Sequence, residues 1–316
     1  MRPNSIRIVY MGTPEFAVEP LKALVEAGVD ISAIVTAPDR PAGRGKKLRQ
    51  PAVKEYAIKN LSCPVLQPEK LKDPDFVSEL ERLNADLFMV VAFRMLPEIV
   101  WKIPKKGTIN LHASLLPDYR GAAPINWVLI NGEKETGVTT FLIDKEIDTG
   151  RILLREKVKI LPEETAGSLH DKLMTIGSDL VVRTVTGVME NALQPVDQEE
   201  LNENAENLKK APKIHKEDCR INWNLNHTQI INKIRGLSPF PGAFTFLEEE
   251  NDKAIQVKLF GLEEAGGNEM KAEPGSINSD NKNFIEVATG SGMVKITTLQ
   301  AEGKKRMEKR LQNRQK

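Results

Sequence analysis

Ile109-Asn110-Leu111-His112-Ala113-Ser114-Leu115-Leu116-Pro117-Asp118-Tyr119-Arg120-Gly121-Ala122-Ala123-Pro124-Ile125 reads as a buried strand, Thr108 to Leu111, running into a loop rich in Pro and Gly. Side chains alternate along a strand, so Asn110 and His112 point to one side. An imidazole there can take a proton from an attacking nucleophile, and a neighbouring amide N–H can hold a developing oxyanion. Alone, the amide would be a turn cap and the imidazole a satisfied core histidine. The residues that follow them weigh against both readings.

Outward from this run, strand patterns alternate with helical ones. Ile6 to Tyr10, Ile31 to Val35 and Asp86 to Ala92 read as strands, with Thr13 capping and Pro14 opening the first helix. Phe16, Ala17, Pro20, Leu21, Leu24 and Val25 then repeat at helical spacing. This alternation implies βαβ units: an α/β fold with a mostly parallel sheet and flanking helices, whose ligands bind at the carboxyl ends of strands. Gly12 follows the first strand, but Pro14 and Glu15 stand where a dinucleotide fingerprint needs glycine or open backbone, which excludes a nicotinamide site there. Gly137 to Ile143 and Arg151 to Lys159 read as strands joined by a turn, and Thr165 to Ala192 as a long amphipathic helix. The polar, acidic stretch from Pro195 to Glu206 suits a linker. Beyond it, a helix at Thr228 to Ile234 and strands at Val257 to Leu262, Phe284 to Ala288 and Met293 to Leu299 read as a small β-barrel. The expected boundaries are 1–192, a linker at 193–207, and 208–316.

A chain of 316 residues has room for two cores, and 40% apolar with 28% charged residues is ordinary globular composition. No apolar run approaches the roughly 20 residues that cross a bilayer. Cys63 and Cys219 stand far apart without metal-ligand spacing, and the chain opens directly into a strand, so reduced thiols in a cytoplasmic protein are expected. Net charge is +1, yet Thr36 to Lys54 carries six basic residues against Asp39 alone, and Gly303 to Lys316 carries seven against Glu308. Such segments are candidate phosphate contacts. The Pro and Gly of the first argue for a mobile loop, neither helix nor strand. His170, His215 and His227 lie on helical or linker segments without carboxylate partners in range and read as exposed.

Asp148-Thr149-Gly150 has two readings from the residues themselves. One is a plain turn. The other, an aspartic protease loop, needs a second copy that the chain lacks and apolar flanks where it has Glu146 and Arg151.

Taken together, Asn110-Leu111-His112-Ala113-Ser114-Leu115-Leu116-Pro117 and Arg120-Gly121-Ala122-Ala123-Pro124 resemble the hallmark of the formyltetrahydrofolate-dependent formyltransferases. The resemblance is closest to the branch acting on aminoacylated tRNA and covers nearly the whole chain. It includes Gly12-Thr13-Pro14-Glu15-Phe16-Ala17 and the basic segment from Thr36 to Leu48. It departs at Ala92 to Pro97, one residue shorter than the family pattern. The resemblance implies a Rossmann-like formyltransferase domain followed by an OB-like barrel that binds tRNA. The implied reaction moves a formyl group from 10-formyltetrahydrofolate, without a metal, to the α-amine of methionyl initiator tRNA for translation initiation. It implies catalytic roles for Asn110, His112 and Asp148, with Asp148 preferred over Asp144 as the carboxylate beside the imidazole. It implies folate contacts from Phe93, Leu96, Ser114, Leu115, Leu116 and Pro117, and tRNA contacts from Arg40, Arg44, Lys46 and Lys47. A monomer without membrane association is expected. Two alternatives stand beside it: a formyltransferase acting on a nucleotide-linked amino sugar, against which the basic segment argues, and a catalytically silent RNA-binding protein, against which the intact trio argues.

Overall fold

The computed structural model of the chain describes residues 6–42, 47–201, 207–248, 254–265, 272–280 and 282–308. They form two compact units. The first comprises Met1–Gly121, Thr136–Val158 and His170–Lys210; the second comprises Ala122–Glu135, Lys159–Leu169 and Ala211–Lys316.

In the first unit the alternating pattern becomes β1 (Arg7–Gly12), α1 (Val18–Glu26), β2 (Asp30–Val35), β3 (Arg40–Ala42), β4 (Lys47–Arg49), α2 (Ala52–Asn60) and β5 (Val65–Leu66). There follow α3 (Pro74–Arg82), β6 (Leu87–Val91), α4 (Glu98–Trp101), β7 (Thr108–His112) and the two-residue β8 (Arg120–Gly121). After α5 (Pro124–Ile130), which belongs to the second unit, come β9 (Glu135–Leu142), β10 (Ile152–Lys159) and the long helix α6 (Ala166–Met189). The main sheet has the order β10-β9-β7-β6-β1-β2-β5. Strands β5, β2, β1, β6 and β7 run parallel, and β9 joins β7 antiparallel.

Parallel strands covered on both faces require near-continuous apolar runs, and Ile8 to Met11 and Leu87 to Val91 supply them. Each such buried side chain contributes roughly 1.5–3 kcal/mol. The register aligns Gly12 with Val91, and Val91 with Leu111, so β1, β6 and β7 end along one edge. Gly12 is needed there, because a Cβ would stand 2.7 Å from Cβ of Ala17 and 3.1 Å from the Val91 carbonyl oxygen.

Three expectations are corrected. Pro14 precedes a 3-10 turn, Glu15–Ala17, with no side-chain cap from Thr13, and α1 starts only at Val18. Within the segment read as neither helix nor strand, Arg40, Pro41 and Ala42 pair antiparallel with Arg49, Leu48 and Lys47 as a short ribbon, while residues 43–46 lie outside the described residues. A two-stranded ribbon is all edge, so Pro41 can sit in it without breaking a ladder. Finally, two of the histidines have carboxylate neighbours. His170 Nδ1 lies 2.9 Å from Asp171 and its ring packs edge-on to Phe16, while His227 Nε2 lies 2.9 Å from Glu264.

After α6 come a 3-10 turn, Gln198–Leu201, and β11 (Lys210–Ala211). The second unit then contains α7 (His227–Leu237), β12 (Ala243–Glu248), β13 (Ala254–Glu264), β14 (Ile277–Ser279), β15 (Ile285–Thr289), β16 (Gly292–Ala301) and β17 (Met307–Glu308). Asn226 and Gln229 form a reciprocal capping box that starts α7. Its Ile230, Ile234 and Leu237 pack with Val257, Leu259, Val294 and Ile296 of the sheet. The sheet is antiparallel throughout, in the order β12-β13-β16-β15-β14 with β17 beside β16.

Candidate active site

The carboxyl end of β7 carries Asn110 and His112, two residues apart and so on one side of the strand. His112 is buried, and its Nε2 lies 2.9 Å from the carbonyl oxygen of Tyr119. A carbonyl can only accept, so Nε2 carries the hydrogen and donates it. Nδ1 is therefore the basic nitrogen of the neutral ring. Asp148 Oδ2 stands 3.7 Å from Nδ1, close enough to stabilise a proton placed there. Asn110 is half-buried, and its amide makes no hydrogen bond among the described residues, so its donors stay available.

Asp148 reaches this position from the loop between β9 and β10. Its backbone is left-handed, with φ of 56°, and its Oδ2 accepts the Gly121 N–H at 2.9 Å. Ala92 and Tyr119 are also left-handed, with φ of 46° and 61°, so the residue after β6, the residue before β8 and the Asp148 loop all hold costly backbone. The loop closes tightly at Gly150, where a Cβ would collide with the Leu142 carbonyl. Asp144, the competing carboxylate, is exposed and organises the turn: its Oδ1 accepts from Glu146 N–H at 3.1 Å and the Thr149 hydroxyl at 2.7 Å.

The other sequence candidates fall into distinct places. Ser114 is buried and donates its hydroxyl to the Asp118 carbonyl at 2.7 Å, while its own carbonyl accepts from Thr139. Leu116 is fully buried with Phe141 and Ile152, and Pro117 is buried after it, so this stretch shapes the loop that presents Tyr119. Leu115 is half-buried. Leu96 belongs to the core cluster of β1 and β6, and Phe93 packs against that cluster beneath the Arg94 guanidinium. Arg94 donates to the carbonyls of Pro68 and Glu69, and burial, followed by the charge of Arg40, lowers its affinity for its proton. Arg40 is exposed at the start of the ribbon and Lys47 opens its second strand; Arg44 and Lys46 lie outside the described residues. Lys54 is not a free cation. It pairs with Asp39 at 2.8 Å, and the hydrogen bonds from Lys54 and Gln67 hold the Asp39 carboxyl below its usual range.

Sequence reasoning missed Gln198. It lies in the segment read as a linker, yet it is buried at 3% exposure and bonds to both Arg120 and the Asp148 loop. An isolated Gln in an acidic stretch carries no local signal of such a role. Arg120 belonged to the quoted run without a role of its own.

A family model described as formyl transferase matches residues 6–185, and one described as formyl transferase, C-terminal domain, matches residues 213–314. Over 308 residues the chain is 49% identical to a methionyl-tRNA formyltransferase of Bacteroides fragilis, covering 98% of this chain and 94% of that protein. Two solved structures share the fold at 18% identity. WlaRD, a sugar 3N-formyl transferase solved with dTDP and 5-N-formyl-THF, matches with a TM-score of 0.65 over 95% of this chain and 99% of that one. HypX from Aquifex aeolicus, in complex with tetrahydrofolic acid, matches with a TM-score of 0.63 over 96% of this chain and 46% of that one. With both models matched and a relative near half identical over almost its whole length, the chain belongs to the formyl transferase family.

Proposed function

We propose that this chain transfers a formyl group from 10-formyltetrahydrofolate to the α-amine of methionine esterified to initiator tRNA. The observation that carries the chemistry is the convergence of an uncommitted amide, a buried imidazole with its basic nitrogen fixed, and a carboxylate on one strand edge. The amine nitrogen attacks the formyl carbon of the donor, and the carbonyl oxygen gains negative charge. The Asn110 amide donates to that oxygen, an interaction that strengthens as charge develops. His112 Nδ1 takes the proton that the nitrogen loses, and Asp148 stabilises the imidazolium. Collapse breaks the bond from the formyl carbon to N10 of the folate and returns a proton to that nitrogen, leaving tetrahydrofolate and the formylated amine.

The donor binds along the same edge, against Phe93, Leu96 and the Ser114-to-Pro117 loop. The acceptor's phosphates lie against the basic segment of the sequence that includes Arg40, Arg44, Lys46 and Lys47. The first unit is the catalytic part, and the antiparallel second unit adds tRNA surface.

The test is formylation of charged initiator tRNA with labelled donor, with a nucleotide-linked amino sugar as competing acceptor. Label reaching the methionine amine alone supports the reading. Label reaching the sugar nucleotide alone overturns it.

A further inference from the structure

We propose that Gln198 is a positioning residue that holds Asp148 against His112, and so tunes the proton-accepting step from outside the reacting atoms. This deepens the reading of Asn110, His112 and Asp148 above and rests on it.

Every hydrogen-bonding group of the Gln198 amide is used. Its Nε2 donates to the Asp148 carbonyl at 2.9 Å and to the Gly150 carbonyl at 2.8 Å. Its Oε1 accepts from Arg120 Nε at 3.0 Å and from Arg120 Nη2 at 2.6 Å. An amide with two donors and two lone pairs is thereby saturated in a site almost closed to water. The two carbonyls it gathers belong to the residues on either side of Thr149. They fix the curvature of the loop in which Asp148 is left-handed. The guanidinium it gathers belongs to Arg120, and the next residue, Gly121, gives its N–H to the Asp148 carboxylate. Gln198 therefore joins the two walls between which the carboxylate is held, one carrying its backbone and the other its N–H partner.

The segment is anchored for this. Two residues upstream, Val196 pairs with Ile152 through N–H···O bonds of 2.8 Å and 2.9 Å in the two directions. Only a side chain that both donates and accepts fits. Glutamate would keep the Arg120 contacts but turn an acceptor toward two carbonyl oxygens.

The test uses the full chain and the variants Gln198→Ala, Gln198→Glu, His112→Ala, Asp148→Asn and Gln198→Ala/Asp148→Asn, with folding checked by near-UV circular dichroism. Gln198→Ala is expected to lower kcat by about 10-fold to 100-fold, the usual cost of a misplaced catalytic group, with KM for donor and tRNA nearly unchanged. Gln198→Glu, which preserves side-chain volume, is expected to do the same. The loss is expected in kcat alone, a split that general loosening of the fold would not produce. The double variant is expected to lose no more than Asp148→Asn alone, since both changes remove one interaction. A folded Gln198→Ala or Gln198→Glu protein with wild-type kcat overturns the proposal, as does additive loss in the double variant. A His112→Ala protein with undiminished turnover would instead sink the underlying reading.

Discussion

Asp148 Oδ2 faces two groups at once: it accepts the Gly121 N–H at 2.9 Å and stands 3.7 Å from His112 Nδ1. The first interaction fixes the carboxylate, and the second places its charge beside the only basic nitrogen of a ring whose other nitrogen is committed to Tyr119. An orienting hydrogen bond and an electrostatic support thus come from one oxygen.

Replacing that oxygen separates the two roles. Asp148→Asn retains a group of the same size but no charge, so folding should persist while kcat falls. Asp144→Asn should lower turnover far less, since its oxygen serves only the turn. Equal losses from the two variants would remove the special role of Asp148.

The reacting pair is tested by truncation. His112→Ala should lower kcat by about 10²–10⁴, the size of a general-base contribution. Asn110→Ala should lower it by about 10²–10³ if its amide meets the oxyanion. Single-turnover kinetics at saturating substrates checks both, with circular dichroism as the control for folding.

Gly150 tests the loop itself. In Gly150→Ala the new Cβ collides with the Leu142 carbonyl, so the backbone that carries Asp148 must move. Overpacking of this kind costs about 1–3 kcal/mol. Urea unfolding should show that loss, and kcat should fall although no reacting atom is removed. An alanine variant with wild-type turnover would show that the loop tolerates displacement.

The basic ribbon predicts a salt dependence. Neutralising Arg40, Arg44, Lys46 and Lys47 should flatten the slope of log tRNA affinity against log salt, by about 0.7–0.9 for each phosphate that the variant no longer neutralises. Donor binding should not change. An unaltered slope with weakened donor binding would reassign the ribbon to the folate.

Asp280 gives the second unit an acid-sensitive turn. Its carboxylate accepts the backbone N–H groups of Asn283, Lys282 and Phe284, which hold its proton affinity far below that of an ordinary carboxylate. A depressed folded-state value contributes stability above the unfolded value of about 3.9, lost as pH falls below it. Asp280→Asn should therefore lower the urea midpoint at pH 7 and shrink its decline in acid. A variant that matches the parent at pH 7 would count against this role.

Several features were legible because their cause is local. The alternation of strands and helices follows from spacing within a few residues. Asn110 and His112 share a face because a strand has a two-residue period. Helix α3, not among the helices expected from the sequence, carries an equally local start signal, Asp73 before Pro74, with the Asp73 carboxylate accepting the Asp75 and Phe76 N–H groups. The basic segment was legible as charge but not as a ribbon, because pairing across four intervening residues depends on edge freedom rather than on propensity.

The tertiary structure decided what no neighbouring residue encodes. Asp144 and Asp148 are both carboxylates of one turn, and only its closure over Gly150 shows which faces the imidazole. The Tyr119 carbonyl, invisible in a side-chain pattern, decides which nitrogen of His112 is basic. Gln198 reaches Arg120 across 78 residues of chain, and an amide in an acidic stretch looks the same whether it faces water or closes a buried loop. The sequence by itself determined the residue types and the face they share, since that geometry is set by backbone period. Distances between remote groups follow from packing, which is a property of the whole unit.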